Sequence, residues 1–226
     1  MRRITSPELL DDDLGTPEEI KVSLDDLWRI NRCFGGVWSN LRMLERVFAR
    51  VGARSARILE IGAGDSRLAG LIRQKLLKRG FHTEFFVLDR RLTHLAEGRP
   101  AEAGLHPVVA DGFVLPFPEQ SFDVVMCNLF FHHFSGERAR AFLRSLAGVA
   151  SRAVLVNDLE RHLLPYLFIR IGYPFARSRL TQHDAPASVR QAYTRDELAE
   201  LAAGAGFRSF EIKRILPFRL GLTIWK

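Results

Sequence analysis

The chain has 226 residues, 47% hydrophobic and 26% charged, with a net charge of +7. That composition excludes global disorder, because enough apolar side chain is present to offset chain entropy, and the length suits one well-buried core. Two cysteines, Cys33 and Cys127, exclude a disulfide scaffold and read as reduced thiols of a cytoplasmic protein.

Met1-Arg2-Arg3 is followed by Ile4-Thr5-Ser6-Pro7-Glu8 rather than by an apolar run, so no signal peptide is expected. The first 27 residues hold three basic and eight acidic side chains, which leaves the remainder more basic than the net charge suggests. Two amphipathic helices are predicted at 23–33 and 37–51, separated by Gly35-Gly36. Leu24, Leu27, Ile30 and Phe34 mark one apolar face, and Leu41, Leu44, Val47, Phe48 and Val51 the other; Ser23 with Asp25 and Asp26 reads as a helix start.

From residue 56 the pattern alternates. Strands are expected at 56–61, 84–89, 107–110, 122–128 and 153–157, with helices between them, one ending before Gly80 and another at 137–149. Thr194 and Glu197 form a capping box for a helix that ends near Gly204–Gly206, and strands at 207–213 and 217–225 close the chain. The alternation predicts an α/β fold, a Rossmann-like sheet with helices on both faces. The last two strands are joined by too few residues for a crossover helix, so the sheet is expected to be mixed, with an antiparallel strand at that edge.

Ligands of such sheets bind beyond the carboxyl ends of the strands, where strand order reverses. The first tip reads Glu60-Ile61-Gly62-Ala63-Gly64-Asp65-Ser66, the second ends in Asp89-Arg90, the third in Asp111-Gly112, the fourth in Asn128 and the fifth in Asn157-Asp158. Gly62 and Gly64 allow a tight turn and close approach of a ligand, and Asp89 is placed for the two hydroxyls of a ribose. A dinucleotide fingerprint would need a third glycine where Arg67 stands, and Glu60 is poorly placed beside a pyrophosphate. A carboxylate there suits a cationic ligand, such as a sulfonium or an amino-acid ammonium.

Ile58-Leu59-Glu60-Ile61-Gly62-Ala63-Gly64 resembles motif I of the class I S-adenosylmethionine-dependent methyltransferases. Ala110-Asp111-Gly112, Leu115-Pro116-Phe117 and Ser121-Phe122-Asp123-Val124-Val125 are similar to the run found in the subgroup that includes ubiquinone and menaquinone biosynthesis methyltransferases (methyltransferase type 11). Phe131-His132-His133-Phe134 resembles the segment that follows in that subgroup. Ser66 at the third glycine of the family loop and Gly112 in place of alanine depart from the pattern. The resemblance implies a seven-stranded sheet, S-adenosylmethionine as cofactor, Asp89 on the ribose and Asp111 on the adenine amino group. The expected cofactor-binding set is Glu60, Gly62, Gly64, Asp89, Arg90, Asp111, Gly112 and Asn128.

The whole chain then reads as one methyltransferase domain: a helical extension or lid over 1–52, hinged at Gly35-Gly36, a cofactor-binding core over 56–157, a substrate-side insertion over 158–193, and a closing helix and strands over 194–226. His133, His132 and His162 are candidate general bases for an oxygen acceptor, with His183 as a further substrate-wall candidate. The histidine spacing does not suggest a metal site. The apolar run Leu163–Phe175 carries Pro165, Arg170 and Pro174 and is too short to span a bilayer. It reads as core, as a greasy substrate wall, or as a surface in transient contact with a membrane, and Arg161, Arg170, Arg177, Arg179, Arg190 and Arg195 form a basic rim that could attract an acidic acceptor. The expected activity is methylation of a small apolar or aromatic acceptor, quinone-like or polyketide-like. An RNA or protein methyltransferase and a catalytically silent cofactor-binding protein are the rivals; nucleic-acid binding is not favoured, and oligomeric state is left open.

Overall fold

The computed structural model describes residues 1–10, 14–97, 104–172 and 176–226. Helices α1 (Pro17–Cys33) and α2 (Gly36–Val51) precede β1 (Ser55–Ile61), α3 (Arg67–Leu77), β2 (His82–Asp89), the short α4 (Leu92–Ala96) and β3 (Leu105–Val109). Next come β4 (Phe122–Asn128), a 3-10 turn at Phe131–His133, α5 (Gly136–Val149) and β5 (Ala150–Leu159). Helices α6 (Leu163–Gly172), α7 (Arg179–Gln191) and α8 (Arg195–Gly204) lead into the final hairpin, β6 (Phe210–Ile215) and β7 (Arg219–Trp225).

The seven strands form one sheet in the order β3-β2-β1-β4-β5-β7-β6. β1 to β5 pair in parallel, whereas β7 runs antiparallel to both β5 and β6. The three residues between β6 and β7 allow only a hairpin, as the sequence implied. Order reverses between β1 and β4, so the crevice expected for a ligand opens beyond Ile61 and Asn128.

Alternation along the strands feeds two apolar layers. Leu59, Ile61, Val125, Cys127, Val154 and Val156 pack beneath α5 and α8; Ile58, Val124, Met126, Ala153 and Leu155 face α2 and α3. Glu60 shares the second face with Ile58, which puts a carboxyl at the end of an apolar layer.

The first helix begins at Pro17, earlier than Ser23. Thr16 Oγ1 accepts from the Glu19 amide and Glu19 Oε2 accepts from the Thr16 amide, a full capping box with proline at the first position. Ser23 is instead buried mid-helix, 3.0 Å from Thr181 Oγ1. The 158–193 segment supplies α6 and α7, and α6 is not core. Pro165 alone in it is buried, while Leu163, Leu164, Leu167, Phe168 and Ile171 are exposed. Tyr173, Pro174 and Phe175 of the same run, and the acidic triplet Asp11–Asp13, lie outside the described residues.

Half of the six arginines of the basic rim are paired within the fold. Arg161 pairs with Glu197, Arg177 with the buried Asp26, and Arg179 with Glu19. Burial pushes the Asp26 carboxyl up, but hydrogen bonds from Arg177, Ser178 and Arg29 outweigh it and hold its pKa below the ordinary value. The acidic N-terminal helix and the basic insertion are thus complementary surfaces packed on one another, rather than a free anion-attracting face.

Candidate active site

The glycine turn after β1 is built for close approach. Gly62 has φ +69°, and a Cβ on it would lie 2.6 Å from the Phe130 ring. Gly64 (φ +54°) donates its amide to Asp89 Oδ2 at 2.8 Å, while Asp89 Oδ1 accepts from the Arg91 amide at 3.0 Å. The carboxylate of β2 is therefore fixed beside the turn, and lone pairs on both oxygens remain for a ligand. Asp111, beyond β3, accepts from the Phe113 amide at 2.9 Å and is otherwise exposed. A side chain at Gly112 would strike Ile61, 2.9 Å away.

Glu60 is the most perturbed acid of the site. It is 2% exposed, its Oε2 has no hydrogen-bond partner, and burial with the nearby charges of Asp65 and Asp89 pushes its pKa up to about 8. A buried acid without a partner is costly, so this carboxyl is poised for a cationic group. The N-terminal helix closes over the turn: Leu24 lies 3.8 Å from the position of a Gly64 Cβ, and Arg67 bridges Asp65 (Nε to Oδ2, 2.6 Å) to Asp25 of α1 (2.6 Å).

Beyond β4, β5 and β7 lies a polar floor. Asn128 Oδ1 accepts from Asn40 Nδ2 at 2.8 Å, and Asn157 Nδ2 donates to Ser39 Oγ at 2.6 Å. Arg219, 1% exposed, donates to the Phe34 carbonyl and to Asn31 Oδ1, with longer contacts to Asn128 and Asn157.

A third cluster lies under the N-terminal segment. His132 Nδ1 is 2.7 Å from Asp158 Oδ1, and the His132 amide donates to Asp158 Oδ2 at 2.9 Å. Glu8 approaches His132 Nε2 at 3.5 Å and His133 Nε2 at 3.9 Å, and it accepts from Ser188 Oγ at 2.7 Å. Burial opposes charge on His132, but Asp158 and then Glu8 outweigh it and raise its pKa to about 10. Both carboxylates favour the charged, imidazolium form of His132. Arg3, which donates to the carbonyls of His132 and Phe134 and lies over the Tyr193 ring, secures the same segment. Glu8, His132 and His133 are also close enough to hold a metal ion, although the ion pairs just described already account for their proximity.

These three regions line one cavity of about 950 Å³, to which Phe34, Phe113, Phe130, Phe134, Phe168 and Phe218 contribute an aromatic part of the wall. Residues 58–152 match the family model of a methyltransferase domain. Over those residues the chain is similar to a methyltransferase domain. The matched model is a general one and does not select the quinone-biosynthesis subgroup.

Solved structures share the methyltransferase fold at low identity. The plantazolicin methyltransferase BamL, in complex with a triazolic desmethylPZN analog and SAH, superposes with a TM-score of 0.69 at 16% identity, over 91% of this chain and 90% of that one. Magnesium protoporphyrin IX methyltransferase (ChlM) from Synechocystis PCC 6803 with bound SAH gives 0.60 at 14%, over 90% and 94%. A SAM-dependent methyltransferase from Aquifex aeolicus gives 0.58 at 14%, over 83% and 97%. No curated protein matches the chain in sequence.

The residues of the expected cofactor set, Glu60, Gly62, Gly64, Asp89, Arg90, Asp111, Gly112 and Asn128, all line the cavity. So do His132 and His133, whereas His162 and His183 do not. His162 is exposed, accepts from the Leu164 amide at 3.2 Å at the start of α6 and stacks near Phe218; His183 pairs with Asp184 at 2.8 Å. Cys127 is core, its thiol pushed up by burial, and Cys33 is exposed. Sequence reading missed Glu8, Asn31, Asn40 and Arg219. An arginine inside the apolar strand 217–225 was the one available signal.

Proposed function

We propose that the protein transfers the methyl group of S-adenosylmethionine to a small apolar or aromatic acceptor held beside the cofactor in the same cavity. The observation that carries this reading is continuity: the acidic strand tips and the phenylalanine wall border one space, at the large end of the range for small-molecule sites. A charged nucleic-acid or protein segment would be poorly matched by that wall, which disfavours the macromolecular rivals.

The residues present fit the cofactor. Asp89 binds the ribose diol, Asp111 the adenine amino group, and Glu60 the amino-acid ammonium; Gly62, Gly64 and Gly112 leave room for backbone approach, and Arg90 and Asn128 border the nucleoside and methyl ends. The bound cofactor supplies an activated methyl on a sulfonium. The protein aligns the acceptor behind that carbon and excludes water, through the aromatic wall and through α1 folded over the glycine turn. No helix among the described residues is long and apolar enough to cross a membrane. The exposed apolar side chains of α6 stand next to Phe168 at the cavity wall and would guide a greasy acceptor inward, whether from water or from a membrane surface.

For a hydroxyl acceptor, His133 is the base. His132 already holds its proton between Asp158 and Glu8, so it positions the segment instead, and His162 lies off the cavity lining. Calorimetry with S-adenosylhomocysteine tests the cofactor assignment. Asp89→Ala removes charge-assisted hydrogen bonds of roughly 1.5–3 kcal/mol and should weaken binding at least about tenfold. Equal affinity in the variant would refute the ribose role. Methyl transfer to an aromatic panel separates an enzyme from a silent binder.

A further inference from the structure

Arg219 is a buried cation with no carboxylate at ion-pair distance among the described residues; the charge of Asp158 reaches it without a direct contact. Its guanidinium donates to Phe34 O at 3.0 Å and Asn31 Oδ1 at 2.7 Å, and lies 3.4 Å from Asn128 Oδ1 and Asn157 Oδ1. Every one of these partners is a neutral oxygen, and among the described residues no carboxylate pairs with it. Asp158, one position along the facing strand from Asn157, is taken by the ring and amide of His132 and by the Leu159 amide at 2.7 Å. A buried guanidinium without a counter-ion is costly, and a purely structural clamp could have used a carboxylate at any of the three asparagines.

The surroundings hold the guanidinium in place at that cost. Gly36 has no side chain because Asn31 Oδ1 occupies the space, 1.7 Å from where a Cβ would stand, and that oxygen is the one aimed at Arg219. Asn40 and Ser39 brace Asn128 and Asn157 from α2. Arg219, Asn31 and Asn128 all line the cavity, beside Phe34, Pro217 and Phe218. They sit beyond β4, β5 and β7, across the strand order from the nucleoside-binding tips of β2 and β3.

We propose that Arg219, with Asn31, is an anion anchor that recognises an oxyanion of the acceptor, carried on an otherwise apolar or aromatic body. The two 3.4 Å contacts are the ones an incoming oxygen would replace, and a planar guanidinium suits a carboxylate or an ionised phenol. The inference deepens the acceptor reading given above and rests on it.

The test uses the full chain saturated with S-adenosylhomocysteine, titrated with para-pentylbenzoate, para-pentylphenol and methyl para-pentylbenzoate. At least one of the two acids should bind at least about tenfold tighter than the neutral ester, as expected for a charge-assisted pair. A benzoate preference identifies a carboxylate. A red-shifted near-ultraviolet band of the bound phenol identifies a phenolate. Arg219→Met should remove that preference while S-adenosylhomocysteine affinity stays unchanged. Asn31→Asp supplies an internal counter-ion, so it should raise the melting temperature and abolish acid binding, which keeps the test decisive if Arg219→Met does not fold. A merely structural arginine predicts the stabilisation without the loss of acid binding.

The anchor is overturned if the ester binds as well as both acids in the unaltered protein, or if Asn31→Asp leaves acid binding intact. It is also overturned if the two variants weaken S-adenosylhomocysteine itself, which would make Arg219 part of the cofactor site. Failure of the unaltered chain to bind S-adenosylhomocysteine would instead overturn the methyltransferase reading, and is read separately.

Discussion

Cofactor affinity should depend steeply on pH through one residue, Glu60. Its carboxyl is buried, lacks a hydrogen-bond partner on Oε2 and has a pKa of about 8. If the cofactor's ammonium binds the carboxylate form, the free protein must first lose that proton. The apparent affinity is then weakened about 100-fold at pH 6, about 10-fold at pH 7 and about 2-fold at pH 8, from the ratio of acid to base forms. Binding of S-adenosylhomocysteine should therefore tighten about 50-fold between pH 6 and 8, equivalent to about 2.3 kcal/mol. Calorimetry in buffers of different ionisation enthalpy should also detect release of about 0.9 proton per site at pH 7. Glu60→Gln should bind more weakly at pH 8 and show little pH dependence. The same group acts on the free protein with the opposite sense: the native state keeps a proton that the unfolded state has lost between pH 4.5 and 8, so unliganded stability falls as pH rises through that window. A pH-independent affinity in the unaltered protein, or an unchanged slope in Glu60→Gln, would refute the reasoning.

Other outcomes follow from single contacts. Gly62→Ala places a methyl 2.6 Å from the Phe130 ring at a positive φ, and should cost about 1–3 kcal/mol, read as a lower melting temperature together with weaker S-adenosylhomocysteine binding. His132 has a native pKa raised from 6.5 to about 10, so its stabilisation is fully present below pH 6.5 and lost as pH approaches 10. His132→Phe should thus lower the melting temperature more at pH 6 than at pH 9.5. With any hydroxyl acceptor that turns over, His133→Gln should reduce kcat by about 10²–10⁴. An unchanged kcat would assign His133 to packing.

The acidic strand tips that line the cavity were legible because their signal is local. A strand followed by a glycine turn, and acids at successive strand ends, lie in register along the chain, and parallel pairing of β1, β2 and β3 brings those ends together. The polar clusters elsewhere on the cavity wall were not, since Glu8 meets His132 across 124 positions and Asn31 meets Arg219 across 188. No periodicity encodes such pairs. The basic insertion was misleading for the same reason: Arg177 and Arg179 look like a free rim in sequence, and only the packing of α1 against α7 reveals Asp26 and Glu19 as their partners.

The sequence by itself determined the alternating α/β order, the reversed strand near the C-terminus and the acids at successive strand ends, because strand period, glycine turns and helix caps are fixed by neighbours a few residues apart. Tertiary structure decided which charges are spent and which remain available. It paired Arg161, Arg177 and Arg179 of the basic insertion, tied His132 between two carboxylates, and left Glu60 and Arg219 buried without an ion-pair partner among the described residues, at opposite sides of one cavity. Burial and pairing depend on what distant segments bring into contact, and those are the quantities that turn a residue type into a chemical role.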